Sequence, residues 1–220
     1  DTSAALAYGK QYIFTVTGFT SDAYQVKITF AEDIIVDQSN NKSEETEFIL
    51  FSSLVETSSE TSATSKFLSK NVADPSSLPE RQKIEKVIFK DNLDGINSTR
   101  WDVSQLEDET IWAWYTDADS DGLYEVYIGS YIIINANVNS SHLFSYIGYD
   151  SNCGVTGDTE AADDTAKQLV ENLDLVHTDG VENMNYMFNY FGHKTMKSLD
   201  LGSEFDTINV IDMQYMFQGC

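Results

Sequence analysis

Asp117, Asp119 and Asp121 alternate with Ala118 and Ser120, and Gly122 follows the third carboxylate. Side-chain oxygens at every second position of a tight turn suit a hard divalent cation. Calcium takes about six to eight oxygen ligands, and a glycine lets the chain bend round the ion. The aspartates would supply half of such a cage. Glu125 stands at the ninth position of the loop, where a ligand acts directly or through water, but the twelfth position is Ile128, not a glutamate. The same residues also read as a plain acidic hairpin turn. Asp-Gly is a favoured turn pair, and the flanking stretches, Ile111–Tyr115 and Leu123–Ile128, are both strand-like. Calcium is the one cofactor the sequence offers.

Other chemistry is harder to find. His142, His177 and His193 lack the spacing of a zinc site. No Gly-x-Ser-x-Gly, His-Glu-x-x-His or phosphate-binding loop occurs. No catalytic residue is assigned, and the chain is expected not to be an enzyme. With 36 Asp and Glu, chance carboxylate pairs are common, so a glycoside hydrolase or carbohydrate-binding module stays as a distant alternative. Trp101, Trp112 and Trp114 would give such a module a stacking platform, although in alternating strands some must face a core. Cys153 and Cys220 would close a long loop if joined, which export would permit, or they stand as free thiols.

These residues need elements to hold them, and the clearest organisation lies near the C-terminus. Val181-Glu-Asn-Met184-Asn-Tyr186-Met187-Phe188 recurs 29 residues later as Val210-Ile-Asp-Met213-Gln-Tyr215-Met216-Phe217. Leu173-Asp-Leu175 recurs 26 residues later as Leu199-Asp-Leu201. An echo at this period signals a solenoid, in which each unit buries its apolar side on the next. Leu-Asp-Leu reads as a half-buried strand. The Met, Met and Phe positions fall at i, i+3 and i+4 and read as a short helix, capped by Asn183 or Asp212 and ended by Gly192 or Gly219.

The Asn-Met-Asn-Tyr-Met-Phe, Ser-Leu-Asp-Leu and Phe205-Asp-Thr elements, ending in Met216-Phe-Gln-Gly-Cys220, resemble the BspA-like leucine-rich repeats of bacterial surface proteins. Trp101-Asp-Val-Ser104, Trp112-Ala-Trp-Tyr115, Tyr127-Ile-Gly129 and Ala136–Phe144 are similar to the segment that precedes such repeats. The resemblance spans about residues 82–220. It departs from the pattern at Val176-His-Thr-Asp-Gly180, where a Phe-Asp-Thr run is expected. It implies a small buried residue at the Cys220 position, and a non-enzymatic scaffold at the bacterial cell surface.

Composition narrows the partners. Net charge is −23 and the pI is about 4.1. That argues against nucleic acid and anionic lipid as targets. No apolar run approaches the roughly 20 residues of a membrane helix. Between Trp101 and Ala166 there are thirteen Asp and Glu and no Lys or Arg, while seven of the thirteen basic residues lie between Lys66 and Arg100. The reading is a solvated acidic face, or alternatively a surface for cations or cationic partners. The chain opens on Asp1 and stops within the repeat pattern, so it is expected to be the N-terminal part of a longer exported protein.

The expected fold is mainly β with α+β repeats. An N-terminal β-sandwich-like domain covers 1–52, and a Ser/Thr-rich linker or excursion covers 53–81. A β-rich cap segment covers 82–149, and an acidic insertion with the first repeats of a leucine-rich-type solenoid covers 150–220. Strands are expected at Tyr12–Thr17, Tyr24–Phe30, Ile34–Val36 and Glu47–Ser52, with a helix entering Ala166–Val170. The functional expectation is an extracellular adhesion or interaction protein that contacts host or cell-surface proteins or glycans. A structural subunit of a surface layer or filament is the alternative.

Overall fold

The computed structural model describes residues 6–7, 25–30, 35–36, 46–54, 81–148, 169–192 and 198–220. Over these residues the chain is mainly β, and no α-helix occurs among them. Tyr12–Thr17, expected as a strand, and Cys153 and His193 lie outside the described residues.

The strands, in chain order, are β1 (Leu6–Ala7), β2 (Gln25–Phe30), β3 (Ile35–Val36), β4 (Thr46–Ser53), β5 (Ile84–Lys90), β6 (Trp101–Asp102), β7 (Trp112–Thr116), β8 (Tyr124–Gly129), β9 (Ile133–Asn135), β10 (Val170–Glu171) and β11 (Val176–His177). One sheet has the order β10-β5-β8-β7-β6 and a second β11-β9-β4-β2, while β1 and β3 form a small parallel pair. β2 and β4 are antiparallel, as expected of a sheet near the N-terminus. β4 then runs parallel to β9, so residues 46–53 share a sheet with 133–135 and 176–177. Val170, expected in a helix, is instead a strand residue paired parallel with Val87.

Apolar alternation explains the five-stranded sheet. Ile84, Val87 and Phe89 of β5 are buried. The odd step from Ile84 to Val87 is absorbed by an irregular register between Ile84 and Lys86, which keeps all three side chains on the core face. Val126 and Ile128 of β8 and Ala113 and Trp114 of β7 fill the adjoining core. Gly129 ends β8 where a Cβ would lie 2.4 Å from the Asn92 carbonyl oxygen and 3.0 Å from the Trp114 ring, so only glycine fits.

Beyond the sheets the chain forms runs of tight turns. Three of these coils, 138–148, 181–192 and 210–220, lie side by side, with parallel bridges from Asn139 to Asn183 and from Asn183 to Asp212. The short helix expected over Met184–Phe188 does not form. Tyr186 and Tyr190 are left-handed, at φ 55° and 48°, which a helix interior excludes. Each turn closes three residues on: Met187 N–H donates to Met184 O at 3.1 Å and Asn189 N–H to Tyr186 O at 3.0 Å. The N–H groups a helix would use internally cross to the neighbouring coil instead. Asn183 caps a turn, not a helix; its Oδ1 accepts the Asn185 N–H at 2.9 Å.

Leu173–Leu175, expected as a strand, is a 3-10 turn that follows left-handed Asn172, and Leu199–Leu201 is not a strand either. The two segments still meet. A Cβ on Gly202 would lie 2.5 Å from the Asp174 backbone nitrogen. Leu173 is buried, and Leu175, Leu199 and Leu201 pack on the same core.

Candidate functional site

The aspartate loop is the turn of the β7–β8 hairpin, whose strands pair from Trp112↔Gly129 to Thr116↔Glu125. The Asp117, Asp119 and Asp121 carboxylates each offer an oxygen within 4.8 Å of the others, close enough to share one cation. The backbone already engages two of them. Asp117 accepts the N–H of Asp121 at 3.1 Å and of Gly122 at 3.2 Å, and Asp121 accepts the Leu123 N–H at 2.8 Å. Glu125 does not join the group. It sits on β8, where Oε2 accepts the Tyr127 hydroxyl at 2.7 Å and the Thr116 hydroxyl at 3.4 Å. A strand residue shares a face with its i+2 neighbour, so Glu125 is committed to Tyr127. The loop therefore has the geometry of a self-supporting hairpin, with part of a cation's ligand set along its edge.

Two of the three tryptophans are buried, and the third, Trp112, is half-buried under Arg100, so they do not form an open platform. Trp101 and Trp114 are buried. Trp114 stacks on Tyr127 with ring centroids 5.6 Å apart, and Lys90 Nζ lies 5.8 Å from the Trp114 ring. Arg100 covers Trp112 at 5.1 Å. An open cleft of about 420 Å³ lies beside Lys90, Tyr131, Ile133, Asp174 and His177. The histidines are not gathered: His142 lies against Tyr186, and His177 Nδ1 is 3.4 Å from Glu204.

The most regular arrangement is the set of coils. Ser140, His142, Phe144 and Tyr146 donate their N–H groups to the carbonyls of Asn183, Asn185, Met187 and Asn189 at 2.8–3.1 Å. Met184, Tyr186, Phe188 and Tyr190 repeat this toward Asp212, Gln214, Met216 and Gln218 at 2.7–2.9 Å. Side chains follow in rows. Phe144, Phe188 and Phe217 stack at 5.2 and 5.4 Å, and His142, Tyr186 and Tyr215 stack at 4.9 Å for each step. Asn185 Nδ2 donates to Asp212 at 3.1 Å and Asn189 Nδ2 to the Gln218 side-chain oxygen at 3.2 Å. The Thr178 hydroxyl clasps the chain just ahead of the third coil by donating to Asp206 O at 2.8 Å and accepting the Asp206 N–H at 2.7 Å. Phe188 and Tyr186 have stacked rings on both sides, whereas Tyr215 and Phe217 each have one on a single side.

Sequence reading missed two parts of this arrangement. One is the first coil, which the pattern Asn139-x-x-His142-Leu-Phe144 could have revealed, since it matches Asn183-x-x-Tyr186-Met-Phe188. The other is Arg81, which carries no local signal. It is fully buried, and its Nη1 donates to the carbonyls of His142 at 2.6 Å, Leu143 at 3.3 Å and Ser145 at 3.0 Å. Leu143 and Ser145 correspond to Met187 and Asn189, whose carbonyls accept from the coil before. Arg81 thus stands in for a preceding coil. Burial lowers its pKa to about 10, so it stays charged at neutral pH.

Compared with known proteins, the chain matches no family model, no curated protein and no solved structure.

Proposed function

We propose that this chain is a non-enzymatic interaction protein of the bacterial cell surface, built on BspA-like leucine-rich-type repeats stacked as a short solenoid. The observation that carries the reading is the twice-repeated hydrogen-bond ladder between coils, with its rows of matched side chains. Such stacks offer partners a regular surface. The surface here is acidic: Asp174, Asp179, Glu182, Asp200, Glu204, Asp206 and Asp212 all lie in or beside the coils. The partners are host or cell-surface proteins, or glycans, met outside the cell. Cationic or polar contacts on such a face weaken as salt screens them, over about 8–10 Å at physiological ionic strength.

Binding of the purified chain to whole cells and immobilised matrix proteins, measured across a salt series, tests this. Saturable binding that falls with salt is expected, with no turnover of glycosides, esters or peptides. Turnover abolished by a single Asp or Glu substitution would replace this reading with a hydrolase. Concentration-dependent polymer growth in light scattering would replace it with an assembly subunit.

A further inference from the structure

The open cleft of about 420 Å³ draws its lining from both sheets: Lys90 ends β5, Ile133 lies in β9 and His177 in β11. Its size falls within the range of about 300–1,000 Å³ usual for small-ligand pockets. Two short connections carry its most accessible side chains. Tyr131, between β8 and β9, is 74% exposed. Asp174, in the 3-10 turn after β10, is exposed too. Both are held from behind. Ser130 is buried; its N–H donates to Lys90 O at 3.2 Å, and its hydroxyl donates to Thr110 O at 2.8 Å and accepts the Ile132 N–H at 3.1 Å. The backbone on either side of Tyr131 is thereby fixed. Ahead of Asp174, Asn172 Nδ2 donates to Phe89 O at 3.0 Å, and Gly202 packs against the Asp174 backbone. These ties set the walls before any ligand arrives, which lowers the ordering cost of binding.

Resting on the reading of the chain as a surface interaction protein, we propose that this cleft binds a neutral saccharide, with Tyr131 as the stacking platform. A pyranose ring has an apolar face of C–H groups and a rim of hydroxyls. Its slightly positive C–H hydrogens rest well on the negative face of an aromatic ring. Ile133, 48% exposed, adds apolar surface to the same cleft. The polar lining suits the rim. Asp174 accepts no hydrogen bond among the described residues, and Asp91 accepts one, from Asn92 Nδ2 at 2.8 Å. His177 meets Glu204 through Nδ1, which leaves Nε2 open. A hydroxyl both donates and accepts. It can give its proton to either aspartate and receive one from Lys90 or His177.

Charge argues against the other occupants. Lys90 Nζ donates to Asp94 O and lies 5.9 Å from the Tyr127 ring, so an ammonium is fixed within the lining. A basic peptide would meet that ammonium, and an anion would meet Asp91 and Asp174. A neutral, hydroxyl-rich ligand meets neither repulsion and uses both kinds of group. The coil face attracts partners by net charge, whereas the cleft works without it. A saccharide held here adds a contact that salt leaves nearly unchanged, because no net charge is paired.

Calorimetric titration of the chain with a panel of neutral oligosaccharides, built from glucose, galactose, mannose or N-acetylglucosamine, tests this. At least one should bind saturably, with an affinity that changes by less than about twofold across a salt series. Tyr131→Ala should weaken it by about tenfold or more, through loss of the stacking face. Asp174→Asn should weaken it by about fivefold, through loss of a charged acceptor. Both side chains are exposed, so neither substitution should move the melting temperature, which separates loss of the site from loss of the fold. No binding from the panel, or binding that Tyr131→Ala leaves unchanged, overturns the inference. So does an oligolysine peptide whose binding is lost in Tyr131→Ala and weakens with salt, since the cleft would then be a peptide site. Failure of the surface-interaction reading looks different: the parent chain would bind neither whole cells nor immobilised matrix proteins, whatever the saccharides do.

Discussion

Arg81 shows how one buried side chain can close an edge that would otherwise stay unsatisfied. A buried carbonyl without a donor costs about 1–3 kcal/mol, and this guanidinium serves several. Arg81→Leu keeps much of the volume but removes the donors. It should lower stability by about 3–5 kcal/mol, read as a shift of the urea midpoint with unchanged slope. Cys220 makes a second prediction at this scale. It is a free thiol whose Sγ lies 2.9 Å from the Phe188 carbonyl oxygen. Burial pushes the thiol up, partly offset by a hydrogen bond from the Phe191 backbone. At a given pH less of it is thiolate, so alkylation at pH 8 should run slower than for an unstructured cysteine. The fold favours the protonated form. The stability linked to this group is therefore present below the ordinary thiol pKa and is lost as pH rises through the raised folded value.

The hairpin and the coils show what elements disclose in sequence and what they hide. The Asp-Gly turn between two aromatic-rich strands was legible, because both strand period and turn chemistry are local. The coils were legible as an echo but not in conformation. Apolar residues at i, i+3 and i+4 mark the inward side of a helix, and a chain of turns with left-handed tyrosines brings the same residues inward. What separates the two is where the N–H groups go, and that depends on a neighbour 29 residues away. The pairing of β4 with β9 was invisible for the same reason, since a parallel partner leaves no mark near either strand. The hairpin prediction follows from its own bonds. Asp117 and Asp121 already hold the turn through backbone N–H groups, so a chelator should leave the melting temperature of the purified chain unchanged. A rise in millimolar calcium, lost when Asp117, Asp119 and Asp121 are all Asn, would instead assign an ion to the loop.

Across the whole molecule, order is expected to fall from the sheets toward the third coil. Phe188 is fully buried between Phe144 and Phe217. Phe188→Ala should cost about 3–5 kcal/mol, as cavities in tight cores do. Phe217 has the same partners on one side only and is half-exposed. Phe217→Ala should cost about 1–2 kcal/mol. Denaturant titration of the two variants measures the difference directly, and equal losses would mean that the rows are not packed one upon another.

The one-way ladder has an electrical consequence. At both interfaces the greater number of cross-coil N–H groups point from the Arg81 end toward the third coil; the reverse bonds, to Val138 O, Ile147 O and Glu182 O, are the minority. Peptide dipoles aligned in this way sum along the stacking axis, as they do along a helix. The negative pole then falls on the Arg81 guanidinium, and the positive pole emerges through the amides of Met213, Tyr215 and Phe217. In a chain of net charge −23, this is a small region of opposite sign at close range.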